Sequence, residues 1–116
     1  MRFGHIEIFS RDPIRSSEFY TSLLGFEVVG IQGGVFVWMI LGEAEILLRP
    51  GQPPTSPDTY PHAAMGLVLY TDDLMPLHDR IAREGLNLDD VDKTGKCFAF
   101  TDPDGNWIQI VNPDDM

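Results

Sequence analysis

The chain carries one plan twice. Sliding the sequence on itself by 61 residues sets His5-Ile-Glu-Ile-Phe-Ser-Arg-Asp12 over Gly66-Leu-Val-Leu-Tyr-Thr-Asp-Asp73, and at the ends of the following helices the offset becomes 60, pairing Gly25 with Gly85. Few residues are identical, but the order of predicted elements is shared. Phe3 to Phe9 alternate with period two, placing Phe3, His5, Glu7 and Phe9 on one face and Ile6 and Ile8 on the other, as in a strand. Asp12-Pro13 then supplies an N-cap and a first-turn proline. Ile14, Tyr20, Leu23 and Leu24 recur near helical spacing before Gly25, so a helix is expected over Pro13 to Leu24. Phe26–Val29, Val35–Leu41 and Glu43–Arg49 read as strands, with Gly30, Gly33-Gly34 and Gly42 as turns.

Five prolines fall between Pro50 and Pro61, a density that cannot sustain a ladder of backbone donors, so this stretch reads as a linker. The order then repeats. Gly66–Thr71 is strand-like, Asp72-Asp73 caps a helix bearing Leu74, Leu77 and Ile81, and Gly85 ends it. Leu86–Val91 and Lys96–Thr101 follow as strands, Asp102-Pro-Asp-Gly-Asn106 as a turn, and Trp107–Val111 as the last strand. Each half is thus βαβββ, and neither is large enough to cover both faces of its own sheet. The expected fold class is α+β: two βαβββ modules forming a curved mixed sheet with helices outside and a concave ligand-sized hollow. The expected organisation is a single domain over 1–116, with a first module at 1–49, a linker at 50–61 and a second module at 62–113.

Composition narrows the function classes. Eighteen acids against eight bases give a net charge of −10, a field that repels phosphate backbones and argues against nucleic acid as a partner. The same field attracts cationic small molecules. No apolar run approaches the roughly 20 residues that a bilayer span needs, so no membrane partner is expected. The N-terminal residues lack a secretory pattern, and Cys97 is the only cysteine, so an oxidising compartment is not called for; a cytoplasmic location is expected.

Three stretches carry a family likeness. Gly4-His5-Ile with Asp12-Pro13 and Phe19-Tyr20-Thr-Ser-Leu-Leu-Gly25-Phe26, the closing Asp102-Pro-Asp-Gly-Asn106-Trp-Ile-Gln109-Ile, and the duplicated order together resemble the glyoxalase / bleomycin-resistance / extradiol-dioxygenase (vicinal-oxygen-chelate) superfamily. The resemblance implies two βαβββ modules around a cup and, in metalloenzyme members, a divalent ion held by His and Glu side chains. The implied ligand positions fall on His5, a residue close to Leu47, Gly66 and Gln109. Of these only His5 is a good ligand, and Gln109 offers a neutral amide oxygen, so no metal residues are assigned.

The candidate site follows from strand alternation. His5 and Glu7 share a face and are assigned as an oriented base pair or polar anchor. Glu45 and Arg49 are expected on that same face as ligand contacts, with Gln109 a further one on the last strand. Trp107, sharing the face of Gln109, is the expected pocket wall for a planar or cationic ligand, with Tyr70 and Trp38 as further ligand contacts. His62 is read as a solvated loop residue and His78 as surface. Two functions stay open: a metal-free member binding a small cationic or aromatic ligand, or a lyase, isomerase or dioxygenase using Zn, Ni, Mn or Fe with His5 and Glu7, Glu45 or Gln109. Exposed sheet edges and family habit imply a homodimer.

Overall fold

The computed structural model of the chain describes residues 1–86, 88–89 and 96–115. Two compact units divide at the Pro-rich stretch, Met1–Pro54 and Thr55–Met116. Unit 1 runs β1 (Ile6–Ser10), α1 (Pro13–Leu24), β2 (Glu27–Gln32), β3 (Phe36–Leu41) and β4 (Ala44–Pro50). Unit 2 opens with a 3-10 turn at Tyr60–His62 and runs β5 (Leu67–Tyr70), α2 (Leu74–Arg83), β6 (Leu88–Asp89), β7 (Cys97–Thr101) and β8 (Trp107–Val111). The strand expected over Leu86–Val91 lies partly outside the described residues.

Both units solve the same problem in the same way. Each helix carries the chain from the first strand to the far edge of the sheet, and two antiparallel returns bring it back beside that strand. The strand orders are β1-β4-β3-β2 and β5-β8-β7-β6. In each sheet the first and last strands pair parallel and the rest antiparallel. These are two βαβββ units of an α+β protein.

The duplication extends to atoms. The Ser10 hydroxyl accepts a hydrogen bond from the Asp12 amide at 3.1 Å, and the Thr71 hydroxyl accepts one from the Asp73 amide at 3.0 Å, at equivalent places before each helix. Each helix then stops at a left-handed glycine, Gly25 (φ 77) and Gly85 (φ 70), a conformation that a Cβ disfavours. The starts differ. Asp12 caps α1 by accepting from the Arg15 amide at 3.2 Å, whereas Asp73 makes no side-chain cap on α2.

Alternation decides which side chains enter the core. In unit 1, Val37 and Met39 of β3 and Ile46 and Leu48 of β4 are wholly buried on the face that α1 covers, beneath Phe19 and Tyr20. Tyr20 stands edge-on to Phe19 and to Phe26, at 5.3 and 5.5 Å. Each such side chain contributes roughly 1.5–3 kcal/mol on leaving water. Helix spacing alone points Ile14 inward, but Ile14 is exposed and Ser16 and Ser17 are buried in its place. Their hydroxyls are satisfied locally: Ser16 with Ser10 at 3.2 Å, and Ser17 donating to the Ile14 carbonyl at 2.6 Å. Gly30 is likewise not a turn. It lies inside β2 at a bulge between Val28 and Gly30, and the reversal comes at Gly33-Gly34.

In unit 2, Phe98 and Phe100 of β7 and Ile108 and Ile110 of β8 are buried, with Leu74 and Ile81 contributed by α2. His78, read from sequence as surface, is half-buried: its ring stands edge-on to Phe98 at 5.2 Å and its Nδ1 lies 3.2 Å from the Asp79 carboxylate. It occupies an inward position between Leu74 and Ile81 on the helix. The closing turn is built on Asp102, a buried carboxylate that accepts from the Asp104 amide, the Asn106 amide and the Asn106 side chain, each at 2.9 Å.

Candidate functional site

The face of the unit 1 sheet turned away from α1 carries a run of polar and aromatic side chains. Register explains why they meet. Glu7 pairs with Leu47 and Phe9 with Arg49 across the parallel β1–β4 ladder, while Trp38 pairs with Leu47 from β3. Residues two apart on one strand share a face, so Glu45, Leu47 and Arg49 stand on the side of His5, Glu7 and Phe9, as do Phe36 and Trp38.

A continuous hydrogen-bonded chain crosses this face. His5 Nε2 lies 2.9 Å from Glu7 Oε2, and Arg49 Nη1 donates to Glu7 Oε1 at 2.8 Å. Both oxygens of one carboxylate are therefore engaged. The hydrogen bond from Arg49, and after it that from His5, hold the Glu7 carboxyl below the usual carboxylate range. An ionised carboxylate only accepts, so His5 Nε2 carries the hydrogen, and in the neutral tautomer Nδ1 presents its lone pair.

Aromatic rings frame the chain. The His5 ring stands 4.8 Å from the Trp38 ring at 64°. Trp38 is itself oriented by donation from its Nε1 to Gln32 Oε1 at 2.7 Å. The Arg49 guanidinium lies 5.6 Å from the Phe9 ring centre and 5.7 Å from that of Phe36, within cation–π range of both. Its Nε is buried and without a hydrogen-bond partner among the described residues. Glu45 is exposed on the same face and makes no hydrogen bond or ion pair among the described residues.

The corresponding face of unit 2 is different in character. Gln109 is half-buried, between Val68 of β5 and Ala99 of β7 by register. Tyr70 shares the Val68 side of β5 and is exposed. Trp107 shares the face of Gln109, yet it is only 4% exposed because the Pro-rich segment lies across it. Its Nε1 donates to the Pro57 carbonyl at 3.0 Å, and the Tyr60 ring stands 6.1 Å away at 62°. His62 is exposed, its Nδ1 3.1 Å from the Thr59 hydroxyl.

Sequence reasoning missed three participants. Phe9 was visible in the alternation of β1, but its role depends on Arg49, far away in sequence. Gln32 sat beyond the expected end of β2. Tyr60 gave no signal at all, since the segment holding it has no period and its partners come from β8.

A divalent ion of the kind the resemblance implies would need several charged or imidazole donors at these positions. Leu47 is buried and aliphatic, Gly66 has no side chain, and Gln109 contributes no charge. His5 Nε2 and both Glu7 oxygens already have partners, one of them a guanidinium whose charge would repel a second cation. No group of three His, Cys, Asp or Glu side chains among the described residues is placed to hold an ion. The residues present do not fit a divalent chelate.

The fold matches solved structures over nearly its whole length. FosX, a fosfomycin resistance protein from Mesorhizobium loti, aligns with a TM-score of 0.77 at 13% identity, covering 96% of this chain and 91% of its own. A mutant FosX from Listeria monocytogenes, complexed with Mn(II) and 1S,2S-dihydroxypropylphosphonic acid, aligns at 0.73 and 15%, covering 95% and 88%. Lactoylglutathione lyase from Agrobacterium tumefaciens aligns at 0.69 and 18%, covering 97% and 93%. No curated protein matches the sequence. A family model matches residues 2–110. The repeated βαβββ plan, the opening and closing motifs and this match agree, and the chain belongs to the Glyoxalase/Bleomycin resistance protein/Dioxygenase superfamily.

Proposed function

We propose that the protein is a metal-free small-molecule binder whose site is the open face of unit 1. The observation that supports this reading best is the chain His5–Glu7–Arg49 laid across an aromatic surface. Trp38 supplies flat apolar area on which a planar group stacks. His5 Nδ1 accepts a hydrogen bond or a proton from the ligand, and the Glu7 carboxylate lies beside the positive charge that a proton would bring. Arg49 keeps donors available beyond the one it gives Glu7. Of the two ligand types, cationic and aromatic, the geometry favours an aromatic one, because Arg49 already places a cation over the Phe9 and Phe36 rings.

The experiment is a nuclear magnetic resonance titration of the uniformly labelled full chain with small planar amines and acids, following the Trp38 indole and His5 ring signals. Saturable shifts in both signals are expected for an aromatic compound, with the His5 shift abolished in Trp38→Ala. Absence of saturable shifts for every compound, or shifts that survive Trp38→Ala unchanged, would overturn the reading.

The second reading is a metal-dependent lyase, isomerase or dioxygenase using His5 with Glu7, Glu45 or Gln109. Family membership and the Mn(II) complex of the Listeria FosX favour it; the engaged donors around Glu7 weigh against it. We also expect two copies to pair. β2 is the last strand of its sheet and leaves Val29 and Ile31 half exposed, apolar area that a second copy would cover. Sedimentation as a single-chain species at micromolar concentration would contradict this.

A further inference from the structure

Gly66 stands directly before β5, at the position that the family resemblance marks as a metal ligand, and it is not merely an empty place. A Cβ built on Gly66 would lie 2.6 Å from Cε1 and 2.7 Å from Cζ of Tyr60, and nearer still to the hydroxyl. Real side-chain carbons do not approach so closely, and the ring could make room only by swinging out of its contact with Trp107. The phenol occupies the volume that any side chain at position 66 would need.

Tyr60 is held there by unit 2 itself. Its ring stands against Trp107. Three residues earlier, the Pro57 carbonyl accepts from Trp107 Nε1. One residue before that, Ser56 lies so close to Gly105 in the closing turn that a Cβ there would come within 2.6 Å of the Ser56 Cβ. Contacts at positions 56, 57 and 60 thus fasten the segment over β8 and the head of β5. The Pro-rich stretch, which composition marks only as a linker, is in part a fitted cover.

We infer that Tyr60 is the residue that denies unit 2 a metal ligand: it presents a single phenol oxygen where a ligating side chain would project, and restoring ligands at positions 66 and 109 creates no usable ion site while Tyr60 stays in place. This goes beyond the ligand reading for unit 1 and does not depend on it, since every group involved belongs to unit 2.

The test uses equilibrium dialysis of the full chain against Zn(II) and Ni(II), with metal analysis, on the unchanged protein, Gly66→His/Gln109→His, and Tyr60→Ala/Gly66→His/Gln109→His. The expected result is no stoichiometric uptake by the first, and affinity at least tenfold tighter in the triple variant than in the double. Equal affinity of double and triple variants, including failure of both to bind, overturns the inference. So does stoichiometric uptake by the unchanged protein that falls in Gln109→Ala. If the histidine variants do not fold, the same dialysis compares Gly66→Asp/Gln109→Glu with Tyr60→Ala/Gly66→Asp/Gln109→Glu, and equal affinity of that pair overturns the inference.

Discussion

Arg49 Nη1 donates to Glu7 Oε1 at 2.8 Å, joining two strands that lie side by side in the sheet although their residues are remote in sequence. The contact turns a lone carboxylate into one already engaged, which under the proposed ligand reading would govern what the open face of unit 1 accepts. A free Glu7 beside His5 would invite a cation; with Glu7 engaged, the polar groups left on that face are the His5 Nδ1 edge, the outer donors of Arg49 and the exposed Glu45 carboxylate.

Replacing Arg49 by Met removes the first cause of the lowered Glu7 pKa. Carbon-detected titration of the Glu7 carboxyl is expected to show its midpoint rising toward the ordinary range, with a smaller rise in His5→Ala, since the His5 bond ranks second. An unchanged midpoint in Arg49→Met would mean that the contact does not persist in solution.

The same carboxyl makes stability depend on pH in a definite direction. Its folded-state pKa lies below the ordinary value of 4.5. In that window the unfolded chain binds more protons than the folded one. The contribution is therefore fully present above pH 4.5 and is lost as pH falls through the lowered value. The urea midpoint of the unchanged protein minus that of Glu7→Gln should be largest at neutral pH and shrink in acid. A difference independent of pH would remove Glu7 from the account.

Neighbouring residues on β4 should respond oppositely to truncation. Ile46 is wholly buried beneath α1, and Ile46→Ala is expected to cost about 2–5 kcal/mol in urea unfolding. Glu45 faces solvent on the other side, and Glu45→Ala should stay within about 0.5 kcal/mol. Comparable costs at the two positions would show the register to be displaced by one residue.

Asp102→Ala should destabilise the chain by on the order of 3 kcal/mol, because it leaves the Asp104 and Asn106 amides without their buried acceptor. Asp102→Asn keeps the oxygen that serves them and should recover part of the loss, as read by the thermal midpoint.

Local signals were legible in the sequence and long-range ones were not. The span of α1, Pro13–Leu24, followed from Asp12-Pro13 at one end and Gly25 at the other, both of which act within a turn. The shared face of Glu7, Glu45 and Arg49 followed from alternation. What alternation does not contain is the pairing of Glu7 with Arg49, which needs the β1–β4 register, or the edge-on contact of His5 with Trp38, which needs β3 placed beside β4. Gly30 misled because glycine marks turns and bulges alike. His78 misled because its polarity outweighed its place one turn after Leu74. Trp107 was assigned to the correct face, but its cover came from residues without a period.

On the proposed reading, His5 works beside Glu7 and Arg49 without a divalent ion. The most direct test is the metal content of the purified full chain after exposure to Zn, Ni, Mn and Fe salts and removal of free ions, compared with His5→Ala. Far less than one equivalent of any of them is expected in either protein. One tightly held equivalent in the unchanged chain, lost in His5→Ala, would contradict it.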